Sequence, residues 1–363
     1  MTAGSRFPPC RDSVKLSGMK PDVVVVGSYV QDLTWDCAAF PQPGETVIGM
    51  FRTGPGGKGS NQAVAAGRAG ARTLFIGAVG CDAFAGEAKR YYEDNGIAAR
   101  WVEKRNRATG TAAILVSESG QNEIIVALGA NAALACADLD RKAIAGAKLL
   151  VVQLESNLAT TAAALCLAQK AGVTTLLNPA PMRRDFDVRM LRHVDILVPN
   201  ETEFVALVNR LRVDGRTDFS ETELTALTPA EVHRLCRGLG VETVIVTLGH
   251  RGCLVSQPSG VAIVPAHRVD VVDTTGAGDA FVGGFAAGWV RDGGEVVAAA
   301  AHGNAVAALS VTKRGTAPSM PWAREVAAFL KTTASGQPIG GAKRTKRPQK
   351  SVDARKRAGA KKT

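Results

Sequence analysis

The apolar positions of this chain fall into short continuous runs separated by longer segments with helical spacing. Val23–Val26 is such a run, apolar at every position and closed by Gly27 and Ser28, which fits a strand buried on both faces better than one with a wet side. From residue 74 strand and helix alternate: a strand at 74–76, a helix over 82–94 closed by Gly96, and a helix over 138–147. Next come a strand at 149–152, a helix over 158–171 closed by Gly172, strands at 174–177 and 195–198, and a helix over 201–209. A polar insertion at 213–228 reads as a surface loop. Beyond it the pattern predicts a helix over 229–239, a strand at 243–246, an alanine-rich helix over 295–309 and a closing helix over 322–330, whose Trp322, Val326 and Phe329 face inward. The alternation predicts an α/β fold, a mostly parallel sheet with helices on both faces.

Two segments depart from it. Residues 35–52 alternate apolar with polar and are broken by Pro41, Pro43 and Gly44, while residues 112–116 and 123–128 flank Ser119-Gly120, a hairpin signature. Together they predict a small β-sheet lid drawn from about 30–53 and 108–130. The folded body is then expected over 21–331, between an extension at 1–20 and a tail at 332–363.

Composition narrows the class. A length of 363 residues, 46% hydrophobic and 21% charged, supplies one large core. The seven cysteines stand singly, in an odd number and with no C-x-x-C pair, which argues against a disulfide framework or a zinc knuckle and for a reducing compartment, the cytoplasm. Residues 1–20 mix Arg, Pro, Asp and Lys without an apolar signal core, and no segment approaches the ~18 apolar residues of a membrane span. Neither secretion nor membrane insertion is expected. The net charge of +11 points to nucleic acid until it is located: ten Lys and Arg residues lie in 332–363 against Asp353 alone, so nine of the eleven charges sit in the tail. The body is close to neutral and is not expected to bind nucleic acid. Without aromatic residues or apolar periodicity the tail is expected to be disordered. It is either a solubilising appendage or, alternatively, a nuclear-import signal or loose polyanion contact.

Candidate chemistry concentrates at glycines. Asp273-Thr-Thr-Gly-Ala-Gly-Asp-Ala-Phe281 follows a β-like apolar lead-in at Val269, Val271 and Val272 and runs into an apolar helix. Strand, tight turn and helix start are implied. At such a junction the amides of Gly276, Ala277, Gly278 and Asp279 lack helical partners, and with the positive end of the helix dipole they seat an anion. Asp279 is then either a plain helix cap or a base that takes the proton of a hydroxyl attacking a phosphate held there. Residues 54–62 formally contain G-x-G-x-x-G, but no acidic residue lies about 20 positions on, and Gly59 follows Lys58 where a P-loop has Ser or Thr. They read instead as a loop opening a helix at Asn61, near enough to a small polar ligand for Lys58 and Asn61 to donate to it. Asp32, Glu155, Asn178, Asn200 and Thr247 each fall at or just past the end of a predicted buried strand. In a parallel sheet those ends share one edge, where the ligand crevice lies.

Gly56-Gly-Lys-Gly-Ser-Asn-Gln62, Asn178-Pro-Ala-Pro181, Pro199-Asn-Glu-Thr-Glu203, Thr247-Leu-Gly-His-Arg-Gly252 and Asp273-Thr-Thr-Gly-Ala-Gly-Asp279 resemble, in order and spacing, the successive motifs of the ribokinase family of carbohydrate kinases. The resemblance runs from about Val23 to Leu330. It implies a Rossmann-like α/β domain, a β-sheet lid that pairs two chains as a homodimer, and transfer of the γ-phosphate of ATP to the 5-hydroxyl of D-ribose. By matching position Asp279 resembles the catalytic base, and Gly276, Ala277 and Gly278 the anion hole. Asp32, Gly57, Lys58, Asn61 and Glu155 match sugar-binding positions. Asn200, Thr247, Gly249, Gly252, Gly278 and Asn304 match nucleotide contacts, with His250 and Arg251 inside the same motif. Glu203, with Asn200, lies where the family organises hydrated Mg²⁺; Asp273, Thr275, Ser310, Lys313, Gly315 and Ser319 match the loops that bind an activating K⁺, several through backbone carbonyls. One departure stands out: the family commonly has Asn two residues before the sugar-binding aspartate, and this chain has Val30. That removes a hydroxyl partner and leaves fructose or a nucleoside such as adenosine as alternative acceptors. From a different class, the chain is a polyanion-binding protein acting through its basic tail.

Overall fold

The four valines of β1 (Val23–Val26) are buried inside a sheet, with a strand paired on each side, as a β-branched run with no polar position requires. The computed structural model describes residues 20–334. After β1, β2 (Val30–Cys37) and β3 (Met50–Gly56) leave the body as an antiparallel pair, and α1 (Lys58–Arg68) returns to it. β4 (Thr73–Val79), α2 (Ala83–Asp94) and β5 (Ala98–Glu103) carry the sheet to one edge. β6 (Gly110–Ser117) and β7 (Asn122–Ala127) form a second excursion, followed by α3 (Arg141–Gly146), β8 (Leu149–Val152) and α4 (Leu158–Lys170). Then come β9 (Thr174–Leu177), β10 (Ile196–Leu197), α5 (Glu201–Leu211), α6 (Glu221–Ala226) and α7 (Pro229–Gly238). The chain ends with β11 (Thr243–Thr247), β12 (Cys253–Gln257), β13 (Gly260–Val264), α8 (Ala277–Arg291), α9 (Val296–Ser310) and α10 (Ala323–Ala334).

Among the described residues nine strands form one sheet, in the order β13-β12-β11-β10-β9-β8-β1-β4-β5, parallel except at β12 and β13. Four others form a smaller sheet, β3-β2-β6-β7. Alternate residues of the central strands feed two cores. Val24, Val26, Leu150 and Val152 pack with Ile144, Leu165, Phe204 and Leu235; Val23, Val25, Leu149 and Val151 pack with Val64, Phe285 and Val306. Each fully buried aliphatic side chain stabilises the fold by roughly 1.5–3 kcal/mol, so a strand shifted by one residue would exchange the two cores' contents. Local signals agree with this layout: Thr228 and Glu231 cap α7 reciprocally, with Pro229 in its first turn.

Several elements differ from the sequence reading. Val269, Val271 and Val272 are not a strand, and Val271 and Val272 lie 60% and 56% exposed; a run of valines is β-like only where a neighbouring strand can pair with it. The insertion at 213–228 is no plain loop, because Ser220 and Glu223 form a capping box that starts α6. The helix expected at 138–147 is confined to α3, where Asp140 accepts from the Ala143 amide. β5, β12 and β13 are strands that the sequence reading lacks: β5 and β13 lie at the sheet edges with mixed burial, and β12, though buried over Cys253–Ser256, has an apolar run of only three residues. α1 begins at Lys58 rather than Asn61. Trp322 precedes α10 and is 39% exposed under the Arg68 guanidinium, whereas Val326 and Phe329 are buried as expected. α10 runs on to Ala334, past the expected start of the tail, and the expectations for 1–19 and 335–363 lie outside the described residues. Among the described residues no helix is long and apolar enough to cross a membrane.

Candidate active site

The strand order reverses between β1 and β8: from β1 the sheet grows through β4 and β5 on one side and through β8 to β11 on the other. Such a reversal opens a crevice at the strands' C-terminal ends. Just past β1, Ser28 Oγ donates to Glu155 Oε2 at 2.6 Å, and the same oxygen accepts from the Lys58 amide at 2.8 Å. Glu155, three residues beyond β8 and 6% exposed, thus bridges the reversal and takes one of the free amides that open α1. Gly57 makes that approach possible. Its φ of 87° is left-handed, and a Cβ there would come within 2.6 Å of the Val30 nitrogen.

α1 and α8 start side by side and touch at Gly283, where a Cβ would meet the Ala65 Cβ at 2.4 Å. In the first turn of α8, Asp279 is buried with both oxygens taken: Oδ2 accepts from Asn61 Nδ2 and Oδ1 from Gln62 Nε2, each at 2.9 Å. It does not cap its own helix. Gly276, at φ 79°, turns the chain into α8 without a side-chain cap, and a Cβ at Gly278 would have nothing within 4 Å. The geometry is that of an open N-terminal turn beside a carboxylate anchored from another helix, and not of a plain cap.

Behind Asp279 runs a chain of buried amides. Gln153 Nε2 donates to Gln62 Oε1 at 2.6 Å, Gln62 Nε2 also donates to Asn178 Oδ1 at 3.0 Å, and Asn178 Nδ2 donates to the Val198 carbonyl at 2.8 Å. Gln62 and Gln153 had no assigned role in the sequence reading. The signal was a polar residue directly after Asn61 on a buried helix start, and another directly after the apolar run of β8. Asn61 Oδ1 is buried without a hydrogen-bond partner; an orphan acceptor of this kind fits a ligand that brings hydroxyl donors.

Asp32 is not at the end of a body strand. It lies within β2 of the smaller sheet, so the lid carries it to the crevice. Thr316 Oγ1 donates to its Oδ2 at 3.0 Å. Burial pushes the Asp32 carboxyl up to about 7, against the Thr316 hydrogen bond, while Glu155 and Asp279 add to the rise and Arg52 opposes it. Lys58 shows the converse. Burial works against its charge, yet Asp279, Glu155, Glu203 and Asp32 together hold the ammonium above its ordinary range, and no carboxylate lies within 4 Å of its nitrogen among the described residues. A cation facing four acids without touching any is placed for a ligand between them. Glu203, 7% exposed, is raised chiefly by burial.

Other predicted residues are placed differently. Asn200 is exposed and forms a reciprocal cap with Glu203, the Asn200 side chain accepting from the Glu203 amide at 2.8 Å and the Glu203 side chain from the Asn200 amide at 3.0 Å. Thr247 bridges to Asn200 at the end of β11. Gly249 and His250 are exposed, Gly252 is closed in by the Val264 carbonyl, and Arg251 pairs with Glu201 at 2.5 Å. Asn304 donates to the Val264 and Pro265 carbonyls at 3.0 and 3.1 Å, so its amide nitrogen tethers the end of β13. Asp273 accepts from the amides of Thr275 and Gly315, both at 2.9 Å, which joins the 273–275 and 310–319 segments; burial raises its carboxyl, but these hydrogen bonds outweigh that and hold it below its usual range. Ser310 and Ser319 hydroxyls donate to local carbonyls, and Lys313 pairs with Glu325. The Asp273 carboxylate and the Lys313 ammonium are therefore engaged within the protein. Among the described residues no group of three or more His, Cys, Asp or Glu is arranged to hold a metal.

Residues 20–323 match the model of the pfkB family carbohydrate kinases. The deoxyribokinase of Salmonella typhi is 38% identical over 307 residues, spanning 83% of this chain and 95% of that protein. Mouse ribokinase is 37% identical over 313 residues, spanning 84% and 93%. Among solved structures, that of Arabidopsis thaliana ribokinase complexed with ribose and ATP superposes with a TM-score of 0.74 at 32% identity, covering 86% of this chain and 99% of that one.

Proposed function

Because this chain belongs to the pfkB family of carbohydrate kinases, we propose that it transfers the γ-phosphoryl group of ATP to the 5-hydroxyl of D-ribose, giving D-ribose 5-phosphate. The observation that carries the reading is Asp279, a buried carboxylate held by Asn61 and Gln62 beside the uncapped turn Gly276–Gly278. The turn's amides and the α8 dipole stabilise charge on the transferring phosphoryl group. Asp279 orients the attacking hydroxyl and accepts its proton, a role open to a weak base when the transition state is loose and the hydroxyl ionises late. Asp32, Glu155, Lys58 and Asn61 provide acceptors and donors for the sugar hydroxyls, and a wrong ligand would leave them unpaired at a cost. Asn200, Thr247, Gly249, His250, Arg251, Gly252 and Asn304 line the nucleotide's end. Glu203 with Asn200 would hold Mg²⁺ through water, and the loops of Asp273, Thr275, Ser310, Lys313, Gly315 and Ser319 would hold K⁺ through carbonyls. Bound there, the ions supply charge neutralisation at the phosphates and a filled loop beside the anion-binding turn.

The lid supports a homodimer. Ile48, Met50, Phe51 and Ile125 lie 55–98% exposed on or beside its strands, more apolar surface than a lone lid leaves in water. The cytoplasm remains the proposed compartment.

A second reading is favoured by Val30. It is 1% exposed and packs with Ala112 and Ile114, so the lid offers an apolar patch two residues from Asp32, and one relative is a deoxyribokinase. On this reading the preferred pentose is 2-deoxy-D-ribose. Assay of the purified protein with Mg-ATP, in K⁺ and in Na⁺, on D-ribose, 2-deoxy-D-ribose, fructose and adenosine tests both. A pentose preferred over fructose and adenosine, with lower activity in Na⁺, supports the reaction; preference for a nucleoside removes it. Val30→Asn is expected to move the ribose to deoxyribose ratio of kcat/KM toward ribose by about fivefold, the effect of one neutral hydrogen bond.

A further inference from the structure

A buried hydroxyl outside the motif residues joins the two halves of the crevice. Thr316 follows Gly315 on the loop tied to Asp273, and is 8% exposed. On one side it covers the turn that opens α8: a Cβ built on Gly276 would lie 3.4–3.5 Å from the Thr316 Cα, Cβ and Cγ2. On the other its Oγ1 donates to Asp32 Oδ2 at 3.0 Å, with the Pro55 carbonyl at 3.1 Å as a second acceptor for the same proton. Gly56 completes the seat. A Cβ there would come within 2.3 Å of Asp32 Oδ2, so the carboxylate occupies the space that glycine leaves. The loop is braced from behind by Arg68, which ends α1 and donates to the carbonyls of Ala317, Pro318 and Met320 at 3.2, 3.1 and 2.8 Å. Asp32 and Thr316 are 284 residues apart in sequence, and this contact fastens the lid strand β2 to the turn at Gly276.

We propose that Thr316 is a positioning residue for the sugar: its hydroxyl fixes the Asp32 carboxylate against the phosphate-binding turn, so that lid and turn present one rigid site. The proposal deepens the sugar-kinase reading and rests on it for its kinetic consequence, though not for its structural one. The test compares the wild type with Thr316→Val, which keeps the shape and removes the donor, and Thr316→Ser, which keeps the donor. Thr316→Val should raise KM for the pentose about tenfold with KM for ATP and kcat within about twofold, and Thr316→Ser should stay within about twofold of the wild type throughout. Hydrogen exchange on the ligand-free proteins needs no substrate: Thr316→Val should speed exchange in β2 and β3 about fivefold and leave β8 and β9 unchanged. Unchanged pentose KM, or unchanged exchange in β2 and β3, overturns the proposal. So does an equal rise in both KM values, the mark of a merely structural role. If the wild type phosphorylates no pentose, the sugar-kinase reading fails on that result, and the exchange measurement alone decides the Thr316 contact.

Discussion

The two ends of the crevice are built on different terms. At the end of Asp32, Asn61, Glu155 and Asp279, buried or half-buried side chains are positioned by other side chains from distant segments before any ligand arrives. At the end of Asn200, Gly249, His250 and Arg251 the residues are exposed, Arg251 is paired with Glu201, and the Asn304 amide nitrogen is spent on two carbonyls. A sugar presents only hydroxyls, so it is recognised by preplaced acceptors and donors that are costly to leave unpaired. A triphosphate carries its own charge and is held by backbone amides and helix dipoles, which ask less of side-chain placement. On the proposed function, the difference stores specificity at one end and charge accommodation at the other.

Substitutions can break that contrast. The largest effect is expected for Asp279→Asn: kcat falls roughly 10³-fold, within the range of a lost general base, while the ATP Kd measured by titration stays within about threefold. A loss under tenfold would take the proton-accepting role away from this carboxylate. Asp32→Asn should raise the sugar KM roughly 10- to 100-fold without moving the nucleotide KM. Its pH dependence carries a sign. With the folded carboxyl raised to about 7 against an unfolded value near ~3.9, the folded state holds the extra proton between those limits, so ligand-free stability declines as pH rises from about 4 to about 7. Sugar affinity should improve over the upper part of that window as the carboxylate forms, and both trends should flatten in Asp32→Asn when followed by thermal melts and KM at pH 5.5–8.

Gln62→Leu sharpens the same contrast through stability. Gln62 is fully buried, and its loss strands Gln153, Asn178 and Asp279 partners together; a cost of about 3 kcal/mol follows, a drop in Tm on the order of 5–10 °C. The smallest effect belongs to the open end. Arg251→Ala breaks a surface pair, and both Tm and the ATP KM should hold within about 1 °C and twofold. A tenfold loss of ATP affinity there would mean that the nucleotide end is as side-chain-specific as the sugar end.

Much of this layout was legible in the chain itself. Continuous apolar runs such as Val23–Val26 and Leu149–Val152 announce strands buried on both faces, and Thr228-Pro229 with Glu231 announces a helix start, because period and capping are local properties. Glycines at 57 and 276 mark turns for the same reason. The misreadings share an opposite cause. Val269 to Val272 have strand composition but no partner strand, while the edge strands β5 and β13, and β12 inside β13, have partners without a long apolar run.

The sequence by itself determined which side chains could serve the site and, through motif order, which sheet edge would collect most of them. Only the tertiary structure decided how they are paired and charged. It sets Asp32 on a lid strand under Thr316, closes the Gln153–Gln62–Asn178 amide chain behind Asp279, and leaves the Lys58 ammonium among four carboxylates without an ion pair to any of them. Hydrogen-bond partners and desolvation depend on what other segments bring to a point in space, and no local pattern encodes the distance between residues 32 and 316.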